Sequence, residues 1–425
     1  MSVDTFLSSL SSSDSSSPRR SCRVAILGFG TVGSAIAARL GGPDPVDGLE
    51  LTHILDRRAF AKRDRLGNLD PGGALSSDIC WTTRIDEIIS SDVDIVLEVI
   101  GGIEPAAEWI RRTLKAGKSV VTANKQVIAQ HGPSLLALAE RQGRQLRFEA
   151  AVGGAMPIVR AIADGLAGDR LIRIIAILNG TSNAVLSQMD AAGCALPRAL
   201  DEARARGWAE ADPASDLDGV DARAKLAILC ALGFGLRIEP AGIETRSTAG
   251  VEPSHLARAR RRGGTIRQLA FAEYDRGRSA LTAWVAPAIV ARGSIFGRTA
   301  GPANAAIITG EHAGAVGVLG AGAGGAATAV AAIGDLLTIA RDRAAIVPVP
   351  VLSAPAVVTG LERRTEIVDL LDSPILEPWV SHDPPVQPGA LRSSRESGPA
   401  AERSQGEDRG EPRLAANRNL GLEAL

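Results

Sequence analysis

The residues best placed to do chemistry lie in one acidic stretch, Gly207-Trp208-Ala209-Glu210-Ala211-Asp212-Pro213, which continues through Asp216, Asp218 and Asp221 to Lys225. Pro213 bars a helix from running through from the Leu200 side, and the Ala/Leu-rich run from Asp221 to Leu232 has the period of a new helix. Asp221 and Lys225 then share a face four residues apart, where the carboxylate can hold the ammonium. A lysine so placed can act as both acid and base when partial burial or a neighbouring cation lowers its pKa, whereas nearby acids raise it. Two plainer readings compete. One is an acidic loop followed by a surface ion pair. The other is a calcium loop around Asp216-Leu217-Asp218-Gly219, which fails on register because it needs an acid at Ala214 and a glutamate where Lys225 stands.

Such a stretch needs a scaffold, and the first half of the chain supplies one. Arg23-Val24-Ala25-Ile26-Leu27 is a short apolar run suited to a strand buried on both faces. It leads into Gly28-Phe29-Gly30-Thr31-Val32-Gly33 and then a run of helical period from Ser34 to Leu40. Alone, GxGxxG is weak; between a strand and a helix it is a strong dinucleotide signal. Gly28 serves the tight turn, Gly30 lets the backbone approach a pyrophosphate, and Gly33 lets helix pack on strand, with the helix N-terminus facing the phosphates. A second strand ends at Asp56-Arg57-Arg58. Asp56 suits the ribose hydroxyls of NAD and the arginines suit the 2'-phosphate of NADP, so the cofactor reads as NAD or NADP with a slight lean to NADP.

Further buried strands run from Asp94 to Ile100, followed by Gly101-Gly102 and a helix opening at Pro105-Ala106, and from Lys118 to Thr122, ending in Ala123-Asn124-Lys125. This alternation implies an α/β fold with a doubly wound parallel sheet and ligands at the carboxyl ends of its strands, where Lys125 sits. A lysine there can equally be a solvated surface residue. Phe148 to Ile158 is a glycine-rich loop that reads as a hinge or as a cradle of carbonyl oxygens for a hard cation. The strand Ile174–Leu178 leads to Asn179-Gly180-Thr181-Ser182-Asn183, a good turn.

The 425 residues allow two or three domains. A net charge of -1 gives no reason to expect nucleic acid or an anionic membrane as partner, and 3% aromatics disfavours an interaction module built on aromatic anchors. Cys22, Cys80, Cys194 and Cys230 are scattered with no CxxC, which argues against disulfides and zinc and for a reducing, cytoplasmic setting. The five histidines lie far apart, so a histidine triad has little support. Residues 1–21 are serine-rich and read as disordered; Arg19-Arg20 resembles a twin-arginine signal, but the apolar segment after it is better used as a strand.

The run GWAEADPASDLDGVDARAKL resembles the signature segment of homoserine dehydrogenases, and so do GKSVVTANK before it, the NGTSN turn, and Ala283-Trp284-Val285-Ala286-Pro287 and Gly320-Ala321-Gly322-Ala323-Gly324-Gly325 after it. The likeness spans roughly residues 22 to 341. It implies a Rossmann-type NAD(P) domain over 22–150 and an α+β catalytic and dimerisation domain over 151–341 whose last helix returns to the cofactor domain. The implied reaction is reversible oxidation of L-homoserine to L-aspartate 4-semialdehyde, in the branch leading to threonine, methionine and isoleucine. Lys225 would be the general acid/base, and Lys125 would lie between nicotinamide and substrate. Glu210 would take the substrate ammonium, with Asp216, Asp221 and Thr181 around it. The cofactor would meet Gly28, Phe29, Gly30, Thr31, Val32, Gly33, Asp56, Arg57, Ile100, Gly101, Lys125, Gly207 and Gly324. A monovalent cation, sodium, would rest on Glu149, Val152, Gly154 and Met156, largely through carbonyls; Ala155 stands where the family usually has glycine, and Ala327 where it often has proline. A homodimer or higher homo-oligomer is implied. The likeness ends after about residue 342; the Pro/Arg/Glu/Ser-rich run from about Leu376 to Leu425 is too poor in apolar residues to fold as an amino-acid-binding regulatory domain, and residues 342–425 read as a mostly disordered tail. Two rival readings are a paralogue acting on another small amino alcohol or aldehyde, and a non-catalytic dinucleotide-binding regulator, which would be expected to have lost the lysine or the carboxylates.

Overall fold

The apolar run behind the glycine fingerprint is a strand, β1 (Cys22–Leu27), followed by α1 (Thr31–Gly41). The computed structural model in which this is seen describes residues 21–69, 75–322, 324–343, 351–361, 367–371 and 373. The alternation continues through β2 (Leu49–Leu55), α2 (Ala59–Leu69), β3 (Cys80–Thr82), α3 (Ile85–Ser90), β4 (Ile95–Glu98), α4 (Ala106–Lys115), β5 (Ser119–Thr122), α5 (Lys125–Arg141) and β6 (Leu146–Arg147). The strands form one sheet in the order β3-β2-β1-β4-β5-β6, each neighbour parallel. This is the doubly wound order, and the chain reverses direction across the sheet between β1 and β4. Ligands bind at that switch point, at the carboxyl ends of the strands.

A second sheet follows, built from β7 (Leu171–Ile177), then α6 (Gly180–Ala192), α7 (Leu196–Ala205), α8 (Ala214–Leu217), α9 (Val220–Phe234), β8 (Glu244–Thr245), α10 (Pro253–Arg261), β9 (Gly264–Asp275), β10 (Ala280–Ala291), β11 (Ala303–Gly310) and β12 (Gly314–Ala321). Its order is β12-β11-β7-β9-β10, with antiparallel neighbours. Alternate residues of β7 face opposite ways, as a pleated strand requires. Ile174 and Ala176 pack with Leu226 and Leu229 of α9, while Ile175 and Ile177 join Phe271, Trp284 and Ile307 on the far face. The Phe271 and Trp284 rings stack there at 5.0 Å. The long helix α11 (Gly325–Arg341) packs back on the first sheet: Ala329, Ala332, Ile333 and Leu336 share a core with Ile26, Ile36 and Ile54.

Within the stretch read as a mostly disordered tail, β13 (Val357–Thr359) pairs in parallel with Ala280–Thr282, and β14 (Val368–Asp369) with Ala288–Ile289. β8 pairs with β10 at Trp284–Val285, and the short β-branched run Val357-Val358-Thr359 suits the stretch of that edge at Ala280–Thr282. Residues 1–20, 344–350, 362–366, 372 and 374–425 lie outside the described residues. Among the described residues no helix is long and apolar enough to cross a membrane.

Candidate active site

Two helix starts bring the two lysines together. Thr122 ends β5, and Asn124 caps α5 by accepting a hydrogen bond from the Val127 N–H, 3.2 Å, so Lys125 stands in the first turn with its side chain free of the sheet. Asp221 stands in the first turn of α9 and Lys225 one turn on. Asp221 is buried, and its Oδ1 pairs with Lys125 Nζ while its Oδ2 pairs with Lys225 Nζ at 2.8 Å. Lys225 Nζ also donates to the Leu178 carbonyl at the end of β7, 2.8 Å. Asn179 joins the set: its side-chain N–H groups reach Asp216 Oδ1 at 2.7 Å and Asp221 Oδ2 at 2.9 Å, and its oxygen caps α6.

Burial disfavours the charge on Asp221, but the two lysines outweigh it and hold the carboxyl well below the ordinary range. Desolvation likewise pulls Lys125 down, but Asp221, and beyond it Asp216 and Glu210, raise it above its usual value. Lys125 is therefore a fixed positive charge at neutral pH.

The acidic loop is anchored around this centre. Thr181 Oγ1 donates to the Trp208 carbonyl at 2.8 Å, and Arg204 reaches the carbonyls of Glu210 and Ala211 at 3.5 and 3.2 Å. Ser182 Oγ and Gln268 Nε2 both donate to the Asp216 carbonyl, at 2.7 and 3.1 Å. Glu210 is exposed, with its charge felt at Lys125. Asp212 and Asp218 are exposed and stay outside the lysine cluster, and Gly207 sits on the exposed turn after α7.

The switch point fits a dinucleotide. Gly28 has a φ of +102°, and a Cβ there would come within 2.9 Å of the Val99 carbonyl. A Cβ on Gly33 would lie 2.0 Å from the Gly28 carbonyl, whereas one on Gly30 would meet nothing within 4 Å, which leaves the space a pyrophosphate needs. No side chain caps α1, so its first N–H groups are available to an anion. Gly324 opens α11, also without a side-chain cap, and the neighbouring Gly325 lies against Thr31 at the start of α1. At the end of β2, Asp56 accepts from the Phe29 and Arg58 N–H groups and from Lys62 Nζ at 2.6 Å. Burial works against its charge, but Lys62 and the backbone donors keep its pKa low. Lys62 escaped the sequence reading because a lysine in the charged helix α2 looks like any solvated one. Arg57 and Arg58 are exposed beside it. Ile100 and Gly101 lie on the loop after β4 and donate their N–H groups to Glu98.

In the hinge loop, Gly154 has a φ of +64°, and a Cβ there would lie 2.6 Å from the Gly322 carbonyl. Ala155 needs no left-handed φ and donates its N–H to Ala321, so its methyl is accommodated. The buried Glu149 turns its carboxylate to the Val159 and Arg160 N–H groups, both at 2.9 Å, which leaves only its backbone to face a cation. Val152, Gly154 and Met156 are buried in the same loop.

Residues 157–337 match the family described as homoserine dehydrogenase, and residues 28–149 match the homoserine dehydrogenase NAD-binding domain. The chain belongs to the homoserine dehydrogenase family. It is an NAD(P)-dependent oxidoreductase acting on the hydroxyl group of homoserine. It is 38% identical to the homoserine dehydrogenase of Mycobacterium tuberculosis, with 75% of this chain and 72% of that one aligned. With the homoserine dehydrogenase of Synechocystis it shares 36% identity over 75% and 73% of the two chains. Among solved structures, the homoserine dehydrogenase of Thiobacillus denitrificans superposes with a TM-score of 0.72, at 30% identity and 80% of each chain. A hyperthermophilic archaeal homoserine dehydrogenase in complex with NADPH gives 0.63, at 26% identity over 77% of this chain and 100% of that one. The uncapped start of α1 lies at the switch point of the NAD-binding domain, and the two lysines meet at Asp221.

Proposed function

We propose that Lys225 is the general acid/base of the L-homoserine to L-aspartate 4-semialdehyde interconversion, with Asp221 holding it in place. The carrying observation is that Lys225 Nζ is fixed from two sides, by Asp221 at 2.8 Å and by the Leu178 carbonyl at 2.8 Å. NAD(P)+, when bound, supplies the hydride acceptor. As hydride leaves the substrate C4, the hydroxyl proton passes to Lys225 Nζ in its neutral amine form, and in reverse the resulting ammonium returns it to the carbonyl oxygen. Lys125 stays charged and offsets negative charge developing on that oxygen. Glu210 takes the α-ammonium group, with Asp216 and Thr181 bounding the pocket.

The fingerprint Gly28, Phe29, Gly30, Thr31, Val32 and Gly33, together with Gly324, holds the pyrophosphate; Ile100, Gly101 and Lys125 bound the nicotinamide; and Gly207 closes the site from the loop. Neutralisation of Asp56 by Lys62, next to Arg57, supports NADP as the preferred cofactor. Carbonyls of Glu149, Val152, Gly154 and Met156 form the cation site, and sodium is the ion that site would take. The outer strand β12, with Leu319 exposed, supports a homodimer through the second sheet.

The test follows reduced-nicotinamide absorbance with L-homoserine and NADP+ or NAD+, in wild type and Lys225→Ala. The variant should fold, bind cofactor and lose turnover by about 10²- to 10⁴-fold. A folded Lys225→Ala with wild-type turnover would end the assignment.

A further inference from the structure

Glu98 is fully buried at the carboxyl end of β4, where the sheet binds its ligand. Its Oε1 accepts from the Ile100 N–H at 2.9 Å and the Gly101 N–H at 3.3 Å, with Asn124 Nδ2 more distant at 3.5 Å. Its Oε2 accepts from Thr122 Oγ1 at 2.5 Å. The two backbone N–H groups and the Asn124 amide nitrogen can only donate, so Oε1 is an acceptor; burial raises the Glu98 pKa, and the donors around both oxygens work against that rise and favour the carboxylate. Among the described residues no cation pairs with it.

The donors come from only two segments. One is the loop after β4, where Ile100 and Gly101 lie. The other is the end of β5, which leads directly to Lys125. Asn124 closes the circuit by donating to the Gly102 carbonyl at 2.6 Å while its backbone N–H bonds Thr122 Oγ1 at 2.9 Å. A charge left without a counter-ion in a protein interior is costly unless hydrogen bonds hold it, and here those bonds tie the two edges of the nicotinamide subsite together.

We propose that Glu98 is the positioning residue that sets the nicotinamide loop against Lys125, and that its buried negative charge favours the cationic, oxidised cofactor over the neutral, reduced ring. The inference rests on the reading that the 100–102 loop and Lys125 bound the nicotinamide.

The test is Glu98→Gln, with dissociation constants for NADP+ and NADPH measured by fluorescence titration alongside steady-state kinetics and thermal melting. Expected are a wild-type KM for L-homoserine, kcat lowered by about tenfold or more as the reacting atoms lose register, and NADP+ binding weakened more than NADPH binding. Equal weakening of both forms together with a lower melting temperature would make Glu98 merely structural, and wild-type kinetics would overturn the inference outright. Should Glu98→Gln not fold, Thr122→Val decides. It frees one carboxylate oxygen, and it must lower kcat without raising the KM for L-homoserine; a Thr122→Val enzyme with wild-type kcat would overturn the inference. A wild type that does not oxidise L-homoserine would instead remove the underlying functional reading.

Discussion

Asp221 gives one carboxylate oxygen to Lys125 and the other to Lys225, so a single buried anion is shared by cations from two helices, α5 and α9. Asparagine in its place keeps the shape and removes the charge that both lysines face. Asp221→Asn should lower turnover by at least about 100-fold and destabilise the fold by roughly 3–5 kcal/mol, the cost of stripping a partner from a buried pair. Steady-state rates and urea unfolding measure the two effects, and fluorescence titration should show cofactor still bound. Asp221 adds no pH dependence near neutrality. Its folded pKa is depressed, so its contribution is present above the unfolded value of about 3.9 and is lost only as pH falls below it. Turnover within a few-fold of wild type in Asp221→Asn would mean that the shared anion does not organise the site.

The fingerprint glycines separate folding from binding. A Cβ on Gly33 would sit 2.0 Å from the Gly28 carbonyl, so Gly33→Ala should push α1 off β1 and cost about 1–3 kcal/mol or more. A Cβ on Gly30 meets nothing, so Gly30→Ala should melt like wild type yet bind NADP+ about tenfold or more weakly, because the methyl fills the space left for phosphate. Unchanged NADP+ affinity in Gly30→Ala would place the pyrophosphate elsewhere.

Much of this arrangement was legible because its residues act locally. The run Val24 to Leu27, the turn at Gly28 and the helix after Gly33 carry their geometry in their own types, and Asp221 and Lys225 meet through helical spacing alone. Contacts made across the fold were not legible. Asn179 reads as a turn residue until α8 and α9 bring Asp216 and Asp221 to its amide. Glu98 reads as one residue of a buried strand, since nothing local shows that Thr122 and Asn124 will face it. The segment Val357–Thr359 reads as tail because its partner edge is β10, almost eighty residues earlier in the chain.

The proposed preference for NADP rests on Lys62. Its ammonium lies 2.6 Å from Asp56 Oδ2, where it neutralises the carboxylate that would repel a 2'-phosphate. Lys62→Ala should expose that charge and lower kcat/KM with NADP+ by about tenfold or more while leaving NAD+ little changed, and Arg57→Ala should act in the same sense. Parallel assays with both cofactors check this, and an unchanged NADP+/NAD+ ratio in both variants would remove these side chains from the choice.

The hinge carries a pH dependence of opposite sign to that of Asp221. Burial dominates at Glu149 and raises its pKa to about 7, against the Val159 and Arg160 N–H groups that favour its charge and with Asp335 adding repulsion. Asp335 is raised as well, again mainly by burial, despite its contact with Arg160 at 2.7 Å. A carboxyl whose folded pKa exceeds its unfolded value of about 4.3 stabilises fully below that value and loses the contribution as pH rises through about 7. The shift at Glu149 corresponds to roughly 3 kcal/mol, so the wild type should melt at lower temperature at pH 8 than at pH 6. Glu149→Gln cannot titrate. It gives up one backbone hydrogen bond, so it should start about 1 kcal/mol less stable at pH 6 and then change much less with pH. Melting curves from pH 5 to 9 on both proteins decide the matter, because an equal slope in wild type and variant would place the titrating group outside the hinge.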